Sequence, residues 1–227
     1  MYKLPFVSTP RPRQNNDFMS GSSEFADVIL FDLGGVLMDF AGLQRLAELS
    51  GCVNGPDLRY RWASSRWLQA FERGQCDADC FGAGVVEEWG LDLTPSEFLA
   101  EFGSWPAGPF EGSVELVAGL AGRIRMGCLS NTNPLHWRHH LERWGVVRYF
   151  DWTFVSHELG MMKPGPEIYQ HVLATIGVPP NRLLFLDDST DNVSGARNLG
   201  IRSEHVTGIE EVRHAIATHL PTLEIPV

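Results

Sequence analysis

Long hydrophobic runs are missing from this 227-residue chain; none approaches the ~20 apolar residues that a membrane-spanning helix needs. The stretch Met1–Ser23 is rich in Pro, Ser, Asn and Arg and has no continuous apolar segment, so it does not read as a secretory signal. Residues 1–25 are expected to form a disordered extension or tag, with Gly21-Ser22-Ser23-Glu24-Phe25 reading as a cloning linker. Cysteine is scarce: Cys52, Cys76, Cys80 and Cys128 are too few for a disulfide framework. Cys76 and Cys80 are spaced for one helix face but lack further ligands nearby, so buried or idle thiols are expected. Basic residues are outnumbered, 18 Lys and Arg against 28 Asp and Glu, for a net charge of -10. That balance argues against a nucleic-acid binder, whose footprint is basic. An anionic substrate stays open, because a lysine and a metal ion can invert the field locally. Internal repeats and low-complexity tracts are absent beyond the N-terminus. Together these absences leave a cytoplasmic globular chain, long enough for one large domain or a core with an insert.

The segment Asp27-Val28-Ile29-Leu30-Phe31-Asp32-Leu33-Gly34-Gly35-Val36-Leu37 supplies the first positive signal. A short apolar run without helical spacing, bounded by turn residues, reads as a buried strand of a parallel sheet. Asp32 then falls at the strand's C-terminal end, where open α/β sheets place their ligands. Gly34 and Gly35 allow a sharp turn and close approach to a ligand. From Asp39 to about Pro109 the pattern becomes helical, as in Leu43–Leu49 and Trp62–Phe71, with four tryptophans and no convincing strand. Thr94-Pro95 with Glu97 spells a capping box that opens a helix. Gly103–Gly112, with Pro106 and Pro109, reads as a linker back to the core.

From Ser113 onward helices and strands alternate: strands at Ile124–Leu129, Trp152–Ser156, Leu183–Leu186 and Ser203–Val206, and helices near 114–120, 134–144, 166–176, 192–199 and 209–219. This alternation implies parallel βαβ units. The expected fold is α/β: a Rossmann-like three-layer core with a parallel sheet over 26–40 and 111–227, and an inserted helical cap over 41–110.

Each later strand ends in polar residues on the edge that carries Asp32. Ser130-Asn131-Thr132 offers a hydroxyl and successive backbone N–H groups suited to an anion, although a helix cap uses the same residue types. Lys163, between Gly160-Met161-Met162 and Pro164, is placed to aim its charge at a phosphate; a solvated lysine is the plainer alternative. Asp187-Asp188, with Asp191-Asn192 one turn on, puts adjacent carboxylates at a buried strand end. A divalent cation would relieve their repulsion.

Asp32-Leu33-Gly34-Gly35-Val36, Ser130-Asn131, Lys163-Pro164 and Asp187-Asp188 through Asn192 resemble, in order, the four motifs of the haloacid dehalogenase superfamily. The helical insert resembles that superfamily's C1 cap. The wording around Glu72-Arg73-Gly74, Ser130–Asn133, His136 and Gly160-Met161 is most similar to the α-D-glucose-1-phosphate phosphatase branch. The resemblance implies an Asp32 nucleophile that forms an aspartyl-phosphate, with Mg²⁺ held by Asp32, the Gly34 carbonyl and Asp188. It implies metal waters held by Asp187 and Asn192, and phosphate bound by Ser130, the Asn131 N–H and Lys163. The substrate would be a small phosphate ester, a sugar phosphate first of all, with no nucleic-acid or membrane partner.

The chain departs from the superfamily's pattern at Gly34, where phosphatases usually carry a second Asp as acid and base. His136 is one candidate substitute and Asp39 another. Gly34 would also suit a 2-haloacid dehalogenase, which needs neither acid nor metal, or a catalytically silent binding protein. The Asp187-Asp188 pair argues against the dehalogenase. For the pocket wall, Trp62, Trp67, Phe71 and Arg73 are candidates, with packing inside the helical insert the cheaper account of the aromatics.

Overall fold

The computed structural model describes residues 25–139 and 143–225, so the expected N-terminal extension lies, apart from Phe25, outside the described residues. Five strands form one parallel sheet: β1 (Val28–Phe31), β4 (Arg125–Ser130), β5 (Trp152–Val155), β6 (Leu183–Asp187) and β7 (Arg202–His205), in the order β5-β4-β1-β6-β7. The apolar run at 28–31 becomes the central strand because it is buried on both faces. Alternation then sorts its side chains. Ile29 and Phe31 join one hydrophobic cluster with α6 (Ser113–Leu120), α7 (Pro134–His139) and α11 (Gly208–His219). Val28 and Leu30 join the opposite cluster with α9 (Pro166–Ile176) and α10 (Thr190–Arg197). The result is a three-layer α/β core.

Helices α1 (Gly42–Ser50), α2 (Pro56–Ala63), α3 (Arg66–Glu72), α4 (Ala78–Trp89) and α5 (Pro95–Gly103) intervene after β1 and enclose a third cluster of their own. Its centre is aromatic: Phe71 stacks on Phe81 at 4.4 Å between centroids, and Phe102 meets Phe81 and Trp105 at 4.9 Å each. The Thr94–Glu97 capping box forms at the start of α5 as its sequence predicts. The expected continuous helical stretch Trp62–Phe71 is broken instead. Ser65 ends the run by capping α3 through a bond from the Leu68 N–H and donates to Glu88 Oε2 at 2.7 Å. A serine hydroxyl that can satisfy a helix's orphan N–H favours a new start over continuation.

The expected return linker is also corrected. Pro106–Pro109 forms β3, paired antiparallel with β2 (Met38–Phe40), so two strands tie the insert to the core. Proline is admissible here because a two-stranded ribbon consists of edges. A short helix, α8 (Ser156–Leu159), follows β5 directly where only a strand end was expected. No helix among the described residues is long and apolar enough to cross a membrane.

Candidate active site

The sheet register aligns the strand ends. Phe31 lies level with Cys128 and with Leu186, and the Asp32 N–H donates to the Leu186 carbonyl at 2.8 Å. Asp32, Ser130 and Asp187 therefore emerge on one edge, as their sequence positions predict. Lys163 joins them from the loop before α9. Its ammonium is buried, 3.0 Å from Asp32 Oδ1 and 2.6 Å from Asp187 Oδ2, and donates to the Leu129 carbonyl at 2.8 Å. The Asn131 side chain clamps the lysine's backbone in both directions, donating to its carbonyl and accepting from its N–H at 2.9 Å each. Burial by itself would lower the Lys163 pKa, but Asp187 and Asp32 outweigh it and hold the ammonium above its ordinary range. The Asp32 carboxyl is pushed up to about 7. Burial is the main cause; Lys163 opposes it, while Asp187 and Asp188 add to it.

Three carboxylates thus face one ammonium. Asp32, Asp187 and Asp188 each bring an oxygen within 4.8 Å of the others. Asp187 is fully buried and already committed: it accepts from Lys163, from the Ser189 N–H at 2.8 Å, and from Asn192 Nδ2 at 2.9 and 3.2 Å. Tyr169 in turn donates to the Asn192 carbonyl at 2.8 Å, fixing the start of α10. Asp188 instead rests its carboxylate against Gly35, whose backbone is left-handed (φ 73°), and a Cβ at Gly35 would collide with Asp188 Oδ2. Burial raises the Asp188 pKa, Asp187 adds to the rise, and Lys163 and Arg59 oppose it. Hard oxygen donors, excess buried negative charge and a side-chain-free cradle at Gly35 fit a small divalent cation such as Mg²⁺. The carboxylates brought together there are those of Asp32, Asp187 and Asp188.

A cavity of about 140 Å³ opens beside Asp32, bounded by Gly34, Ser130, Asn131 and Thr132 on the core side and by Trp62, Leu68, Glu72 and Phe102 on the helical side. The Thr132 N–H is not available to an anion, because it donates to Ser156 Oγ at 2.9 Å, and that hydroxyl returns a bond to the Thr132 carbonyl. Ser130 and Asn131 border the cavity. At Gly34 a Cβ would meet nothing within 4 Å, and φ lies outside the left-handed region, so a side chain would have room there.

The two expected substitutes for the missing acid fare differently. His136 borders the cavity but is buried with both ring nitrogens engaged. Nε2 lies 2.7 Å from the Phe102 carbonyl and Nδ1 3.1 Å from Asn133 Nδ2, while the ring stacks on Phe102 at 4.2 Å. Burial lowers its pKa to about 4, with the Phe102 carbonyl opposing. Burial and these bonds favour a neutral imidazole that bridges core and insert, which argues against the expected role as the acid. Asp39, exposed in β2, does reach the cavity wall.

Of the four residues expected at the wall, Trp62 borders the cavity; Phe71 and Trp67 pack within the insert, and Arg73 donates to Gln69 Oε1 at 3.3 Å. Glu72 was not expected among the site residues. It lies half-buried at the end of α3, facing the site. Burial pushes its carboxyl up to about 7, Lys163 opposing, Asp32 adding and Arg73 opposing. Glu72-Arg73-Gly74 belongs to the wording that carries the family resemblance, but nothing local gives the glutamate a role, since a helix-terminal glutamate is ordinarily solvated.

Residues 26–200 match the haloacid dehalogenase-like hydrolase family. The chain is 28% identical over 189 residues to the D-ribitol-5-phosphate phosphatase of Bacteroides thetaiotaomicron, a match covering 77% of this chain and 89% of that protein. It is 30% identical over 195 residues to the phosphorylated carbohydrates phosphatase of Thermotoga maritima, covering 81% and 85%. The crystal structure of HAD family enzyme bt-2542 from Bacteroides thetaiotaomicron, in complex with magnesium and inorganic phosphate, resembles this fold. Its TM-score is 0.64 at 25% identity, over 79% of this chain and 93% of that one.

Proposed function

Since the chain belongs to the haloacid dehalogenase-like hydrolases, we propose that it is a Mg²⁺-dependent phosphatase of small phosphate esters, sugar phosphates first of all. Residues 41–110 serve as its cap over a core of 26–40 and 111–227. The observation that carries this reading is the charge imbalance at the sheet edge, where Lys163 offsets only part of the charge of Asp32, Asp187 and Asp188. A dehalogenase would gain nothing from that surplus, which repels a carboxylate substrate. A metal–phosphate pair needs it.

Asp32 is the nucleophile. Its Oδ1 accepts from the Leu33 N–H at 2.7 Å and from Lys163, which fixes the carboxylate's rotation beside the cavity. It attacks phosphorus, the ester oxygen leaves, and water then releases phosphate from the aspartyl-phosphate. Lys163 and the Ser130 hydroxyl bind phosphoryl oxygens on which charge builds, together with the Asn131 N–H. Asn131's side chain acts indirectly, by holding Lys163 in place. When bound by Asp32, Asp188 and the Gly34 carbonyl, Mg²⁺ supplies positive charge for the same oxygens. Asp187 and Asn192 brace Lys163 and the start of α10, and would hold waters of a bound Mg²⁺.

The relatives named as phosphatases of ribitol phosphate and of phosphorylated carbohydrates support a polyol or sugar phosphate as substrate class. The test is a panel of phosphate esters and 2-haloacids, run with Mg²⁺ and with EDTA. Phosphate release that disappears in EDTA and in Asp188→Ala is expected. Halide release that survives EDTA would transfer the assignment to a dehalogenase, and Mg²⁺ binding without turnover of any ester would make the chain a silent binder.

A further inference from the structure

We propose that Glu72, carried by the helical insert, is the general acid and base of this site, standing in for the carboxylate that Gly34 lacks. The inference rests on the phosphatase reading above. Four titratable side chains border the cavity: Asp32, Asp39, Glu72 and His136. Asp32 is the nucleophile, and both nitrogens of His136 are engaged. Asp39 is exposed in the β2–β3 ribbon, open to solvent and not enclosed over Asp32. Glu72 remains.

Its position is built into the fold. Two residues on, Gly74 adopts a left-handed conformation (φ 65°), and a Cβ there would collide with the His157 carbonyl oxygen. The turn after α3 is therefore pressed onto the backbone of α8. That helix begins at Ser156, which exchanges hydrogen bonds with Thr132 in the loop after β4. A continuous set of contacts thus runs from the glutamate's turn to the phosphate-binding loop, and holds Glu72 over the catalytic edge. Its carboxyl feels both Lys163 and Asp32, and burial favours its protonated form.

The proton balance closes over two steps. In the first, an Asp32 oxygen bonds to phosphorus as the P–O bond to the leaving group breaks, and Glu72 passes its proton to the departing alkoxide. In the second, the Glu72 carboxylate takes a proton from water as that oxygen bonds to phosphorus. The electron pair returns to Asp32, and phosphate leaves with Glu72 protonated again.

The test is Glu72→Gln, which keeps the shape and removes the proton, measured as kcat/KM in Mg²⁺ over phosphate esters graded in leaving-group pKa. Dinitrophenyl phosphate, whose leaving group needs no proton, should lose no more than about threefold. Simple alkyl phosphates should lose about 10²–10⁴-fold, the ordinary worth of a general acid. Retained dinitrophenyl phosphate turnover also reports a folded site. Should Glu72→Gln not fold, Glu72→Ala is read by the same criterion. A loss uniform across the series would make Glu72 a binding or structural group and overturn the proposal. So would an unchanged alkyl rate, or a steepened series in Asp39→Asn instead. Failure of the underlying reading looks different: Asp32→Asn would then keep wild-type turnover of dinitrophenyl phosphate.

Discussion

Replacing Lys163 with methionine removes the ammonium that sits among the buried carboxylates while keeping the length of its stem. Lys163 is 3% exposed, and its two contacts at 2.6 and 3.0 Å leave no room for water between the charges. At an effective dielectric of about 20, the two are gross attractions of about 6.4 and about 5.5 kcal/mol. Desolvation offsets much of this, and removal of one partner of a buried pair typically costs about 3–5 kcal/mol because the other charge is stranded. For a chain of this size that is a fall in Tm of about 6–20 °C. The deficit should depend on pH. Asp32 is pushed up to about 7 with the lysine present and would sit higher without it. Below about pH 7 it is protonated in both proteins; above that, the wild type ionises it first. The deficit therefore opens as pH rises and narrows as pH falls. Urea melts of both proteins at pH 5.5 and 8.5, in EDTA so that no cation substitutes for the lysine, measure this directly. A variant as stable as wild type, or a deficit equal at the two pH values, would refute the electrostatic account.

Two further perturbations probe neighbouring parts of the site. Gly35→Ala combines a left-handed backbone with a collision at Asp188 Oδ2, a strain of about 1–2 kcal/mol. Mg²⁺ affinity should therefore fall about tenfold with the fold intact; an unchanged Mg²⁺ titration would remove Asp188 from the metal site. His136, with its pKa lowered from 6.5 to about 4, binds fewer protons folded than unfolded between those values. Its contribution is whole above pH 6.5 and is lost as pH falls toward 4, by about 3 kcal/mol in all. The stability gap between wild type and His136→Asn should shrink over that window; a constant gap would mean the ring is not buried neutral.

Much of this site can be read along the chain because it is built from strand ends. An apolar run that stops at Asp32, another that stops at Asp187, and a polar loop at Ser130 each mark their own position, and parallel register brings them together. Gly and Pro around Lys163 flag a constrained lysine, but only the fold shows it between two carboxylates. What escapes the sequence depends on distant partners. Met38–Phe40 finds its β partner at Pro106–Pro109, across all of α1–α5, in residues that locally spell a turn. His136 has ordinary helical surroundings in sequence, and only its burial in the fold, with the Phe102 carbonyl opposing, favours the neutral ring. Glu72 sits in the Glu72-Arg73-Gly74 wording, but its inward position depends on a distant partner too: the docking of Gly74 onto His157. The break at Ser64-Ser65 is the exception, since paired serines within a helical pattern offer a readable cap.

The central claim, that Asp32 carries the phosphoryl group, is tested most directly by acid-quenching the enzyme milliseconds after mixing with saturating dinitrophenyl phosphate and Mg²⁺. So good a leaving group makes the second step limiting, and the covalent intermediate should accumulate. The account predicts a phosphoryl adduct on the peptide containing Asp32, absent in Asp32→Asn and in EDTA. Phosphate release with no adduct, or an adduct on any other residue, would contradict it.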